Sequence, residues 1–287
     1  MEELKLIQKF KKLRQDKSVY IGPGDDAAVI KSGKKYLLFC GDMFIEDVHF
    51  TIKKCKFEDI GYRAVARTLS DVAAMAGRPK YIGVSLALPR KYSKKALSIL
   101  KGIREISEKF KLSIVGGDMS RARKIFLDVW CLGYAEKNRI TTRSGAKDAD
   151  GIFTSGKLGC SLNGKVRFRP KIKEAQFLTR NFKINSMIDI SDGLVLDLYR
   201  ILSESKKQAV LFKDHIPLNP GAKIENALYD GEDYELLFTS PLKNRGTLEK
   251  KGFFYIGFIK NSRKAKVSIR NTEGKTLPLK IEGYFCL

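Results

Sequence analysis

The chain has 287 residues, 43% of them hydrophobic, with 55 Lys and Arg against 32 Asp and Glu for a formal net charge of +23. That apolar content excludes a disordered chain, and the length allows one large domain or two ordinary ones. Five scattered cysteines with no CxxC pair exclude a disulfide framework and a structural zinc site, and fit a reducing cytoplasm.

Leu4, Ile7, Phe10 and Leu13 recur every three residues, which predicts a short amphipathic helix packed on its own domain. It has no apolar h-region, so no signal peptide is expected, and no stretch reaches the ~18 apolar residues of a membrane span. In IGPGDDAAVI, Pro23-Gly24 suits the centre of a type II turn, and the carboxylates of Asp25 and Asp26 follow at the mouth of a strand. Alternation along a strand sends neighbours to opposite faces, so one Asp should meet a ligand and the other shape the turn.

YLLFCGDMF reads as a strand and FEDIGYRAVARTLSDVAAMAG as a helix ended by Gly77, with Pro79 beyond. YIGVSLALP is a strand, SKKALSILKGIREISEKFK a helix, and LSIVGGD and KIFLDVWCLGYAE strands. The pattern lapses around KNRITTRSGAKDADG, which divides the chain into domains 1–137 and 138–287. Beyond it come strands GIFTSG and SMIDI, helix LVLDLYRILSES, and strands YELLFTS and FFYIGFI. Ser191 or Asp192 is placed to cap the helix starting at Leu194. Both halves mix strands and helices, which predicts two α/β domains. GIFTSGK has P-loop spacing, but Leu158 replaces the magnesium-binding hydroxyl and the apolar residues read as strand.

The lysines spread along the whole chain without an RNP, zinc-finger or KH signature, so nucleic-acid binding is not expected. The carboxylates instead gather beside glycines and at strand ends: Asp25 and Asp26, Asp42, Asp71, Asp118, Asp189 and Asp192, and Glu232 to Glu235. Any one of them alone reads as a cap or turn residue. Asp71 resists that reading, because it lies inside an Ala-rich helix. Clustered carboxylates repel one another unless cations sit between them, and His49 and His215 are the only histidines. Oxygen-only ligands point to Mg²⁺, which bridges carboxylates to substrate phosphates.

Seven segments carry a resemblance in order over nearly the whole chain: GPGDDAAVI, GDMFIEDVHF, LSDVAAMAGRPKYIGVSLALP, GGDMSRARK, RSGAKDADGIFTSGKLG, MIDISDGLVLDL and GEDYELLFT. Together they resemble the thiamine-monophosphate kinase family, within the superfamily that includes aminoimidazole ribonucleotide synthetase. The resemblance implies two mixed α/β domains, N-terminal sheets joined as a barrel in a homodimer, and transfer of the γ-phosphate of ATP to thiamine monophosphate. It implies several Mg²⁺ ions on Asp26, Asp42, Asp71, Asp118 and Asp189, with Asp192 a further ligand. It places ATP at Gly117, Asp118, Arg143 and Ser191, and the second substrate at His49, Glu232 and Tyr284. No general base is implied, because a phosphate monoester with a second pKa of ~6 is already ionised at neutral pH.

The chain departs from the family pattern at Cys40-Gly41-Asp42, where Ser/Thr-Thr-Asp is usual. It departs again at Asp230-Gly231-Glu232-Asp233 in place of Gly-Gly-Glu-Asp, and it is short between Gly159 and Ser186. The alternatives are another ATP-dependent enzyme of the superfamily, such as aminoimidazole ribonucleotide or selenophosphate synthetase, or a non-catalytic polyanion-binding protein. A selenophosphate synthetase would need a reactive Cys in an N-terminal glycine-rich segment, which this chain lacks.

Overall fold

Alternation along two long strands organises the first sheet. In β3 (Lys35–Ile45), Tyr36, Leu38, Cys40 and Phe44 are buried, while Lys35, Phe39, Gly41 and Met43 point the other way and are exposed. In β6 (Phe126–Ala135), Leu127, Val129 and Cys131 take the buried side. With β1 (Val19–Ile21), β2 (Ala28–Ser32), β4 (Arg78–Leu88) and β5 (Ser113–Arg121), these strands form a six-stranded sheet in the order β1-β2-β3-β6-β4-β5. Only β4 and β5 run parallel. The structure, a computed structural model, describes residues 6–7, 9–161 and 167–283.

Helix α1 (Phe57–Ala74) lies on one face of this sheet and packs against α2 (Ala96–Phe110). Its small residues let the two backbones approach closely. A Cβ on Gly61 would stand 2.0 Å from the carbonyl oxygen of Ile99, and one on Gly102 would stand 1.8 Å from that of Glu58. The end of α1 differs from expectation. Ala76, not Gly77, adopts the left-handed conformation, with φ 57°, and Gly77 donates its N–H to the Val72 carbonyl at 2.8 Å. Glycine serves Gly77 by its size, since a Cβ there would meet Leu38 at 2.1 Å.

The second sheet contains β7 (Asp150–Thr154), β8 (Ser186–Asp189), β9 (Lys207–Phe212), β10 (Leu236–Pro241), β11 (Phe254–Asn261), β12 (Lys266–Arg270) and β13 (Thr276–Pro278). Its order is β13-β12-β9-β11-β7-β10-β8. Helix α3 (Ile172–Asn181) packs against α1, and α4 (Leu194–Ser205), α5 (Ile224–Tyr229) and α6 (Arg245–Lys250) complete the fold. Leu194, Leu198, Ile201 and Leu202 of α4 are fully buried in a core with Ile152, Leu211, Leu237 and Ile256. On the other side, Phe153, Phe238 and Tyr255 join Leu178 of α3 in a core continuous with that of the first sheet. Strand β9 and helices α3, α5 and α6 were not anticipated, nor were β12 and β13.

The expected N-terminal helix falls partly outside the described residues. Phe10 and Leu13, at 48% and 59% exposure, do not pack on the domain as expected. Among the described residues, no helix is long and apolar enough to cross a membrane.

The close helix contact yields a stability prediction. Gly102→Ala should destabilise the protein by about 1–3 kcal/mol, because backbone overlap outweighs the ~1 kcal/mol that Ala gains over Gly in a helix. A denaturant midpoint equal to or above that of the parent would contradict this.

Candidate active site

A cavity of about 550 Å³ opens between the two sheets, within the size range of small-molecule sites. Three carboxylates converge there from separate elements: Asp26 ahead of β2, Asp71 near the end of α1, and Asp189 at the end of β8. One oxygen from each lies within 4.8 Å of the others. Asp26 Oδ1 accepts from Arg143 Nη2 at 2.7 Å, and its Oδ2 is buried with no hydrogen-bond partner among the described residues. Burial holds Asp71 and Asp189 well above the usual carboxylate range, and the neighbouring aspartates push them further. Burial works against the charge of Arg143, but Asp26, with Asp25 and Asp197, more than compensates and raises its pKa. An all-oxygen donor set, a buried orphan oxygen and close mutual approach together fit a hard divalent cation.

Asp25 and Asp26 divide their work. Gly24 takes φ 109° in the turn, and Asp25 Oδ1 accepts the backbone N–H groups of Asp26 at 3.2 Å and Arg143 at 3.1 Å. It thereby fastens the turn to the segment joining the two sheets. Burial, and secondly Asp26, raise the pKa of Asp25 to about 7.

Asp42, Asp192, Ser191 and His49 also line the cavity. Burial raises the pKa of Asp42, with Arg67 opposing the shift. His49 stacks on Phe44 at 5.7 Å, and its Nδ1 accepts the Ile45 N–H at 3.0 Å. Burial, and secondly Arg67, lower its pKa to about 4, so the ring is neutral at pH 7 with its proton on Nε2. Neither Ser191 nor Asp192 caps α4. The cap position belongs to Gly193, and Asp197 reaches back from the first turn to accept the N–H groups of both residues at 3.0 Å. Arg200 bridges Asp192 and Asp197, each at 2.6 Å.

Gly117, Asp118 and Glu232, three expected site residues, do not line this cavity. Asp118 pairs in register with Ser85, Asp128 and Met43 on the open face of the first sheet, whereas Asp42 pairs with Val129 on the helix-covered face. Alternation therefore separates Asp118 from the carboxylate cluster within one chain. Its neighbour Gly117, with φ 153°, lies so close to β4 that a Cβ would stand 1.8 Å from the Val84 carbonyl oxygen. Glu232 is buried, and its oxygens are bound by Arg63 at 2.7 Å, Arg67 at 2.9 Å and the Tyr234 hydroxyl at 3.0 Å. Tyr284 lies outside the described residues, although Gly283 just before it abuts Asp192 and Leu196.

Sequence reasoning missed Arg67 and Tyr234, both of which line the cavity. The available signal for Arg67 was its place four residues before Asp71, on the same face of α1.

Residues 24–135 match the family described as AIR synthase related protein, N-terminal domain. The chain is 35% identical to the thiamine-monophosphate kinase of Rhodopirellula baltica, across 78% of this chain and 77% of that one. It is 31% identical to the thiamine-monophosphate kinase of Bacillus subtilis, across 93% of each. Among solved structures, AaThiL complexed with AMPPCP and TMP superposes with a TM-score of 0.85 at 28% identity, covering 100% of this chain and 98% of the other.

The raised pKa values of Asp71 and Asp189 would make the binding of a cation here pH-dependent. Their folded values exceed the unfolded ones, so their contribution to metal-free stability declines as pH rises from about 4 through the raised values. Mg²⁺ should displace their protons. Calorimetric titration with Mg²⁺ near pH 6, repeated in buffers of different ionisation enthalpy, should show proton release that shrinks in Asp71→Asn. Equal heats in all buffers would contradict the assignment.

Proposed function

The chain belongs to the thiamine-monophosphate kinase family, and we propose that it transfers the γ-phosphate of ATP to thiamine monophosphate, yielding ADP and thiamine diphosphate. The observation that carries this reading is the convergence of Asp26, Asp71 and Asp189 from both halves of the chain on one cavity. In this proposal those three residues hold Mg²⁺, with Asp42 and Asp192 completing the acidic wall. When bound, the cation would neutralise charge between two polyanions.

The remaining chemistry is positioning. A phosphate acceptor already ionised at neutral pH needs no general base, and His49, held neutral with Nδ1 occupied, is not required as one. We assign Arg143 and Ser191 to ATP, and His49 to the acceptor. The proposal routes phosphoryl transfer directly between substrates, without a phosphoenzyme. For Gly117 and Asp118, a role at the nucleotide phosphates rests on the family resemblance alone.

We further propose that residues 1–137 and 138–287 act as two domains in a cytoplasmic homodimer. In support, among the described residues the helices packed on the first sheet cover the face that carries Leu38 and Phe44, and its other face exposes Phe39 and Met43. Every residue of the edge strand β5 is exposed, Ile114, Val115 and Met119 among them. An uncovered apolar edge of that length invites pairing with a second copy.

Two measurements test this reading. Thiamine diphosphate should form from thiamine monophosphate and ATP only when Mg²⁺ is present. Asp71→Asn should lower turnover by about 100-fold or more while the protein stays folded, a loss of roughly 3 kcal/mol or more in transition-state stabilisation. Near-normal turnover of the variant at limiting Mg²⁺ would remove Asp71 from the cation site. Light scattering should give twice the chain mass, and Phe39→Glu should shift it to a monomer. An unaltered dimer would place the interface elsewhere.

A further inference from the structure

Helix α1 carries a stripe of charge beyond Asp71. Arg63, Arg67 and Asp71 follow at i, i+4 and i+8 on one face, each about 6 Å further along the axis. Asp71 belongs to the carboxylate cluster and Arg67, one turn back, lines the same cavity. The two guanidiniums share a single carboxylate, Glu232, at 2.7 and 2.9 Å. Side-chain exposures of 9%, 12% and 4% put this trio out of solvent. Arg67 stands at the wall of a cavity that, in the proposed function, receives anions. Asp42 also faces Arg67, but stands among the carboxylates assigned to the cation.

The trio also holds strained backbone. Gly231, Glu232 and Tyr234 all have positive φ, at 70°, 59° and 50°. Glu232 donates its N–H to the Ser191 carbonyl at 2.7 Å, and Tyr234 donates to that of Ile190 at 2.8 Å. Strain of this kind persists only where surrounding contacts over-determine it, and it gathers at ligand sites. The Arg67 guanidinium stands 5.4 Å from the Phe44 ring and 5.8 Å from the Tyr234 ring, which restricts its orientation.

We propose that Arg67 binds the phosphate of the acceptor, thiamine monophosphate, and that Arg63 and Glu232 are positioning residues that aim it. The proposal rests on the kinase reading above. In-line transfer brings two polyanions together, and a cation held at Asp71 would offset part of their charge. A fixed guanidinium one helical turn away supplies the second positive charge, in a planar fork that matches phosphate oxygens. Glu232 then acts through Arg67 instead of meeting the substrate itself.

The test compares binding of thiamine monophosphate with binding of thiamine, which lacks the phosphate, to the full chain in Mg²⁺. The parent protein should prefer the phosphorylated ligand. Arg67→Met should weaken that ligand by about 10- to 100-fold, the worth of a hydrogen bond to a charged group, with thiamine affinity and the KM for ATP unchanged. Arg67→Lys should restore part of the preference, because it keeps the charge and loses the fork. Glu232→Gln should raise the acceptor KM without altering that of ATP. A full preference retained by Arg67→Met, while the parent still makes thiamine diphosphate, overturns the assignment and leaves the kinase reading standing. A parent protein that binds with an Arg67-dependent phosphate preference and yields no product upholds the assignment and overturns that reading. A parent that neither prefers the phosphorylated ligand nor forms product overturns both.

Discussion

Repulsion among Asp26, Asp71 and Asp189 is the constraint around which the rest of the molecule is arranged. Charges within 4.8 Å of one another would repel by roughly 3 kcal/mol or more per pair at an effective dielectric of 20. Each carboxylate sits on a different element, so neither a turn, a helix nor a strand end relieves the repulsion locally. Relief comes from outside the cluster: Arg143 on Asp26, protons on the carboxylates whose pKa burial raises, and, in the proposed function, a divalent cation. The continuous core between the two sheets resists the tendency of the two halves to separate.

Arginines from both halves repeat this arrangement around the cavity. Arg143 meets Asp26, Arg200 meets Asp192 and Asp197, and Arg63 and Arg67 meet Glu232. Breaking a buried pair of this kind is far costlier than never having made it, because the remaining charge is stranded. Of these, Arg143 with Asp26 and Arg63 and Arg67 with Glu232 join one half of the chain to the other, whereas Arg200 braces the second half alone. They also reconcile a strongly basic chain with an acidic centre, since the cations nearest the cavity are each tied to a carboxylate.

Alternating and helical apolar patterns made the long elements legible in the sequence: β3, β4, β6, α1, α2 and α4 repeat the period of their buried faces. The acidic segments were legible too, because carboxylates beside glycines at strand ends have no solubilising purpose. Side-chain direction was not. Asp118 reads like Asp42 in one dimension, yet register sends the two to opposite faces of one sheet. Glu232 reads as a ligand-facing acid, yet two arginines 165 and 169 residues away in sequence claim its oxygens. The cap of α4 failed for a similar reason: Ser191 and Asp192 do not cap the helix, and instead donate their own backbone N–H groups to Asp197, a residue inside it. Short elements such as α3 and β9 carry too little pattern to stand out from the loops around them.

The same logic of direction explains how the chain tolerates Cys40-Gly41 ahead of Asp42. Cys40 lies on the helix-covered face, with its thiol 3.4 Å from the Thr68 carbonyl oxygen and opposite Cys131 across β6. Burial, reinforced by Asp71, holds that thiol protonated and neutral, so it adds no charge to the acidic centre. Gly41 lies on the other face, paired with Trp130, where any side chain would point away from the carboxylates. A hydroxyl at either position is therefore not needed to bring Asp26, Asp71 and Asp189 together. Asp42 keeps its place at the cavity because its direction is set by the register of β3 with β6, and not by the identity of the two residues before it.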